Sequence, residues 1–359
     1  MDLFGVNIGG WLSQATNFDE THLNTFITES DVKTIKKWGF NTIRLPVDYF
    51  FFQEDNISPE YREDRLAYID RFLEWASKEQ IFVILDLHKA PGCSFYLEEV
   101  QYNDAWNKNS LNHQLFLKIW DMLSKRYRNQ KNIIYEIVNE PVLIKSQLWM
   151  DLAEEIIKTI RSNDTEHYIV VESNLWGFTL TFNQMKKFDD DKIIYSFHYY
   201  QPILVTHQMA EWIPVYKYKS YVKYYDYPVS ISGIKTLKEN IVGEEPLFSI
   251  QLENEEQKWN KNTLEAVMKN VLDFKNKYSV PILCGEFGCI VKARPETRKK
   301  WISDLMSIFK KHKISYTYWS YKNMDFGLYD FTELYKDNPN YNKERIDINT
   351  LEALQKGIF

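Results

Sequence analysis

Two glutamates stand where Val/Ile-rich runs give out. Glu140 is the last residue of Ile133-Ile134-Tyr135-Glu136-Ile137-Val138-Asn139-Glu140, before Pro141. Glu286 is the last of Val280-Pro281-Ile282-Leu283-Cys284-Gly285-Glu286, before Phe287-Gly288. A short continuous apolar run bounded by turn residues marks a strand buried on both faces. A carboxylate where such a strand stops points into the mouth of the fold, not its core. Two of them facing each other supply a nucleophile and a general acid, the pair that cleavage of a glycosidic bond requires.

Several elements must bring them together. Candidate strands end near Ile8, Leu45, Asp86, Val138, Glu172, Phe197, Gly285 and Trp319. Amphipathic helix patterns fall between most of them, over Asp31–Trp38, Arg65–Lys78, Leu111–Arg128, Gln147–Arg161, Thr263–Lys277 and Glu296–Lys311. Thr28 with Asp31 is a capping signal for the first, and Gly39 lies just past its end. Strands alternating with helices imply parallel pairing through right-handed crossovers. Eight such units predict an α/β fold: a single (β/α)₈ TIM barrel spanning 1–359. The step from Phe197 to Gly285 is far longer than the others, and residues 201–262 read as an insertion after strand six. Such an insertion belongs on the active-site face, as a lid or small subdomain.

Composition narrows the function classes. The 359 residues are 44% hydrophobic and 26% charged, which suits a folded chain with a sizeable core. The net charge of −6 and the scattered basic residues argue against a nucleic-acid or anionic-membrane surface. No apolar run is long enough to cross a bilayer. Cys93, Cys284 and Cys289 form no C-x-x-C pair and imply no disulfide framework, and Cys284 and Cys289 read as small apolar packing. The histidines do not sit at ligand spacing with them, so no metal and no cofactor is expected. The start, Met1-Asp2-Leu3-Phe4-Gly5, has neither a basic nor an apolar leader region, so a cytoplasmic monomer is expected, or a secreted one if a leader was removed. Aromatic residues make up 16%, which a carbohydrate site would use for stacking on sugar C–H faces.

The strand ends themselves are polar: Arg44, Asp86-Leu87-His88, Asn139-Glu140, His198-Tyr199-Tyr200, Glu286 and Trp319, in that order. Catalytic groups of barrel enzymes come from several strand ends at one mouth. This set resembles glycoside hydrolase family 5, a retaining (β/α)₈ group that includes many cellulases. The likeness runs from Gly5-Val6-Asn7-Ile8-Gly9-Gly10-Trp11 to Trp319. The leaderless clostridial endo-β-1,4-glucanases are most alike, since they carry a stretch similar to Thr206-His207-Gln208-Met209-Ala210-Glu211-Trp212. The resemblance implies Glu286 as nucleophile, Glu140 as acid/base, and Arg44 with Tyr200 holding Glu286 ionised. It further implies Asn139 on the 2-hydroxyl of the sugar, His88 and His198 as positioning groups, and Trp319 as the floor of the −1 subsite. Trp212, Trp176 and Trp106 are candidate platforms for distal sugars, whereas Trp149 and Trp301 fall in helix patterns and read as packing.

The expected partner is a β-glucan chain or oligosaccharide. Gly9-Gly10-Trp11 and His88-x-Ala90-Pro91-Gly92 also occur in the exo-β-1,3-glucanase branch, but the continuation Cys93-Ser94-Phe95-Tyr96-Leu97 departs from it. An endo-β-1,4-glucanase is therefore the leading expectation, a β-1,3- or mixed-linkage glucanase the alternative. A non-catalytic carbohydrate-binding protein is a remote third, because both carboxylates are present.

Overall fold

The computed structural model describes residues 2–55, 60–96, 98–143, 145–210, 212, 224–230, 258–330 and 337–358. The chain begins β1 (Phe4–Asn7), α1 (Glu29–Lys37), β2 (Thr42–Asp48), α2 (Glu63–Lys78), β3 (Phe82–Lys89), α3 (Leu111–Tyr127) and β4 (Ile133–Glu136). It continues α4 (Ser146–Arg161), β5 (Ile169–Glu172), β6 (Ile193–Tyr199), α5 (Lys261–Val267) and α6 (Lys269–Tyr278). It ends β7 (Ile282–Phe287), α7 (Pro295–His312), β8 (Ser315–Tyr318) and α8 (Ile348–Gln355). The eight strands close in the order β1-β8-β7-β6-β5-β4-β3-β2. This is the predicted (β/α)₈ barrel.

Local chemistry sets the element ends. The Asp31 carboxylate accepts the Thr28 amide at 2.8 Å to open α1, and Gly39 (φ 90°) follows its end. Ser110 accepts the Asn112 amide at 3.0 Å to open α3. Pro295 starts α7, and Lys310, Lys311 and His312 close it against the helix dipole. Two expectations need correction. The helix read over Thr263–Lys277 is two, α5 and α6, parted at Met268. The buried Leu264, Met268, Val271 and Phe274 keep one periodicity across that break, which hides it in the sequence. Between β5 and β6, where the sequence offers no helix pattern, stand only the short turns Asn174–Gly177 and Thr179–Gln184. Finally, β4 stops at Glu136, four residues short of Glu140.

The chain forms two compact units. The first, residues 1–199, 270–286 and 314–321, carries the barrel. Its floor is a layer of Leu3, Ile84, Ile134, Val170, Ile194 and Leu283. Side chains alternate between the two faces of a strand. Two residues further along, the same inward positions are therefore Asp86, Glu136, Glu172, Ser196 and Gly285. The interior thus passes from hydrocarbon to carboxylate in one step of the pleat. At Gly5 a Cβ would lie 1.9 Å from the Thr42 carbonyl oxygen, its register partner on β2. Gly5→Ala is expected to destabilise the fold by about 1–3 kcal/mol through overpacking, measured as a lower urea midpoint.

The second unit, residues 200–269, 287–313 and 322–359, is built around α7. The buried Arg298 guanidinium binds Asp347 at 2.8 Å, and the Tyr227 hydroxyl donates to Asp304 at 2.7 Å. The Trp301 indole donates to the Gln201 carbonyl at 3.0 Å. Most of the predicted insertion 201–262 lies outside the described residues.

Candidate active site

Arg44 is the hub of the barrel mouth, and it is fully buried. Its Nε donates to Glu136 Oε2 (2.6 Å) and its Nη1 to Asn7 Oδ1 (3.0 Å) and Glu286 Oε1 (2.7 Å). Its Nη2 donates to Glu136 Oε1 (3.1 Å) and Asn139 Oδ1 (2.9 Å), and lies 3.0 Å from Asp86 Oδ2. A guanidinium has five N–H groups in a fixed fork. All sides of this one are engaged. Asn7 in turn donates to the carbonyls of Gly285 and Thr317, both at 3.0 Å, which ties β1 to β7 and β8. Because arginine only donates, Asn139 must present its oxygen to it, leaving the Asn139 amide hydrogens for another acceptor.

Glu140 is placed by the loop after β4, not by the strand. The Ile137 and Asn139 amides still reach the Val170 and Leu87 carbonyls, at 3.2 Å each. At Glu140 the backbone turns left-handed (φ 44°), and its amide donates to the Glu172 carboxylate at 2.9 Å. Its own carboxyl oxygen Oε1 is 2.8 Å from His198 Nδ1. Glu286, the penultimate residue of β7, lies with one carboxylate oxygen 3.7 Å from the same nitrogen. Ligand-type atoms of Glu140, His198 and Glu286 all fall within 4.8 Å of one another. The two carboxylates are therefore side by side.

The other predicted residues divide. His88 is buried, 2.7 Å from Asp86 through Nδ1, and stacks on the Trp319 ring at 5.8 Å between centroids and 8° between planes. The Trp176 indole donates to the Phe95 carbonyl at 2.7 Å, so it is anchored to the loop after β3. Trp106 donates to Asn103 at 3.2 Å within that loop, while Trp149 is buried in α4 and donates to the Glu172 carbonyl at 2.8 Å. Tyr200 and Trp212 belong to the second unit. There the Tyr200 ring packs edge-on against His207 and Phe326, and Trp212 is 51% exposed beside His207. Asn7, Asp86, Glu136 and Glu172 have no role in the sequence reading; the last three follow a buried apolar position by two residues, and Asn7 follows Leu3 by four.

Charge is scarce and protons are shared. Burial lifts Asp86 and Glu136 to about 7, against the pull of Arg44. Burial, then the neighbouring Glu286 charge, raises Glu140 well above the usual carboxylate range. Burial and Glu140 do the same to Glu172. Burial holds His88 down to about 4 and lowers His198 too, so both rings are neutral. Two triplets among the described residues, Glu140–His198–Glu286 and Glu136–Glu172–His198, could hold a metal ion. Glu136 and Glu286 are already engaged by Arg44, and Glu172 by the Glu140 amide.

A pH dependence of stability follows. A carboxyl whose folded pKa exceeds its unfolded one binds extra protons in the folded state, so stability falls as pH rises between the two. The depressed histidines have the opposite sign, but they stop contributing once pH exceeds their unfolded value near 6.5. From pH 6.5 to 8 the carboxyls act without that offset. The melting temperature is expected to fall over that interval in scanning calorimetry; a rise would contradict the proton sharing.

A closed parallel barrel with two adjoining carboxylates at its mouth, one near the end of β7 and one on the loop after β4, is the working arrangement of a glycoside hydrolase. Residues 4–325 match the family model Cellulase (glycosyl hydrolase family 5), and the chain belongs to that family. It is similar to Endoglucanase C of Acetivibrio thermocellus, with 36% identity over 91% of this chain and 93% of that protein. Cellodextrinase A of Ruminococcus flavefaciens is 29% identical over 87% of this chain and 83% of that one. Among solved structures, the cellulose synthase subunit Z of Clostridioides difficile superposes with a TM-score of 0.73, at 25% identity and 99% coverage of both chains.

Proposed function

We propose that this chain is a retaining endo-β-1,4-glucanase that cleaves β-glucan by double displacement, with Glu286 as nucleophile and Glu140 as general acid and base. The observation that carries this reading is the separation of the pair: oxygens within 4.8 Å. Retaining enzymes place their carboxyls about 5–5.5 Å apart, while inverting ones leave about 6.5–9.5 Å for a water. The 2.7 Å contact with Arg44 keeps Glu286 anionic. Burial and that same anion keep Glu140 protonated.

The steps follow from these charges. A Glu286 oxygen attacks the anomeric carbon while Glu140 gives its proton to the departing glycosidic oxygen, and a glycosyl ester forms. Esterification removes the charge on Glu286, so the pKa of Glu140 falls and it becomes a base. It then takes a proton from water, whose oxygen attacks the anomeric carbon and releases Glu286. The free Asn139 amide donates to the sugar 2-hydroxyl, and Trp319, braced by His88, is the floor for the ring. Likeness over 91% of this chain to a protein named Endoglucanase C, within a family named Cellulase, supports β-1,4 linkages over β-1,3.

The test is reducing-end release from carboxymethylcellulose, lichenan, laminarin and glucomannan in parallel, with Glu286→Ala as the blank. Activity on the first two, absent from the blank, is the expected result. Activity confined to laminarin or to glucomannan would overturn the β-1,4 assignment.

A further inference from the structure

Glu172 is a buried acid for which the steps above have no use, and it lacks the arginine contact that Asp86 and Glu136 have. It is the last residue of β5, fully buried, and no lysine or arginine among the described residues pairs with it. Its two oxygens face Glu140 itself and the histidine beside it. Oε2 accepts the Glu140 amide at 2.9 Å, and Oε1 lies 3.4 Å from His198 Nδ1, the nitrogen that is 2.8 Å from the Glu140 carboxyl. Glu140 has φ 44°, a left-handed geometry that a residue with a Cβ keeps only where its surroundings impose it.

The fold makes room for this carboxylate. Gly177 has φ 66°, and a Cβ there would stand 2.0 Å from Glu172 Oε1 and 2.8 Å from the His198 amide nitrogen. The strand end is pinned as well: the Trp149 indole donates to the Glu172 carbonyl at 2.8 Å, and the Ser173 amide to the Ser196 carbonyl at 2.9 Å. A carboxyl group buried without a cation is costly even when it holds a proton. Among the described residues, the one hydrogen bond it accepts comes from the Glu140 amide, and its other oxygen lies beside the His198 nitrogen that faces the Glu140 carboxyl.

We propose that Glu172 is a positioning residue for the general acid, holding the Glu140 backbone in its left-handed turn and His198 against the Glu140 carboxyl so that the proton is aimed at the leaving oxygen. The proposal rests on the reading of Glu140 as the acid. A group that only aims a proton matters in proportion to how much the leaving group needs one. A 2,4-dinitrophenolate needs none, whereas a sugar hydroxyl does.

The test compares kcat/KM of the full chain on cellotetraose and on 2,4-dinitrophenyl β-cellobioside. Glu172→Ala is expected to lose about 10²-fold on cellotetraose and to stay within about threefold on the aryl substrate, the range of a misdirected general acid. Glu172→Gln keeps an oxygen for the Glu140 amide, so it is expected to recover to within about tenfold of the parent on cellotetraose. A folding defect lowers both substrates together. Equal losses on the two, no loss on cellotetraose, or a glutamine variant as impaired as the alanine one would overturn the proposal. Glu140→Ala runs alongside: if it fails to separate the substrates, the reading of Glu140 is at fault and not the role of Glu172.

Discussion

Glycine in place of Glu286 is expected to lower hydrolysis of soluble β-glucan by about 10⁴-fold or more, the scale seen when a nucleophile is deleted from an otherwise intact site. The rest of the mouth should stand, because Arg44 keeps Glu136 at 2.6 Å and Asp86 at 3.0 Å. The cavity left by the carboxylate lies on the face of the sugar opposite the leaving group. Azide added with 2,4-dinitrophenyl β-cellobioside should therefore restore turnover and yield an α-glycosyl azide, readable by NMR. Glu140→Ala should instead give a β-azide, since its nucleophile is intact. The reverse pattern would exchange the two roles.

Arg44→Met is expected to damage the fold as well as the reaction. It strips the cation from three carboxylates: Asp86 and Glu136, both fully buried, and Glu286, 5% exposed. Breaking a buried pair costs about 3–5 kcal/mol, because the remaining charge has no compensation. The orphaned acids can escape only by holding protons. Their folded pKa values, already near 7 for Asp86 and Glu136, then rise further above the unfolded values. Groups raised in this way stabilise the folded state least at high pH. The loss in urea midpoint should be larger at pH 8 than at pH 5.5, and an equal loss at both would contradict the crowding described here.

Much of this was legible in the chain because parallel barrels advertise their strands. Continuous runs such as Ile282-Leu283-Cys284 have no other simple reading, and the polar residue ending each run marks the mouth. What the runs do not show is where a strand stops. Ile137 and Val138 extend the apolar pattern of β4 past Glu136, where the regular strand ends, so Glu140 is set by a loop and by Glu172. Nor does local pattern reveal partners: Arg44 and Glu286 are 242 residues apart, and only barrel closure brings them to 2.7 Å. Asp86, Glu136 and Glu172 could have been found by counting two from Ile84, Ile134 and Val170, had the inward face of each strand been known. Register fixes that face, with Asp86 opposite Glu136 and Glu172 opposite Ser196, and register comes from the fold.

The most direct measurement is to trap the covalent intermediate. Incubation with 2,4-dinitrophenyl 2-deoxy-2-fluoro-β-cellobioside, followed by digestion and peptide mass spectrometry, locates the ester. An adduct on Glu286 with matching loss of activity is the predicted result. An adduct on Glu140 or elsewhere, or an enzyme that turns over glucan yet never labels, would contradict the double displacement proposed for this barrel.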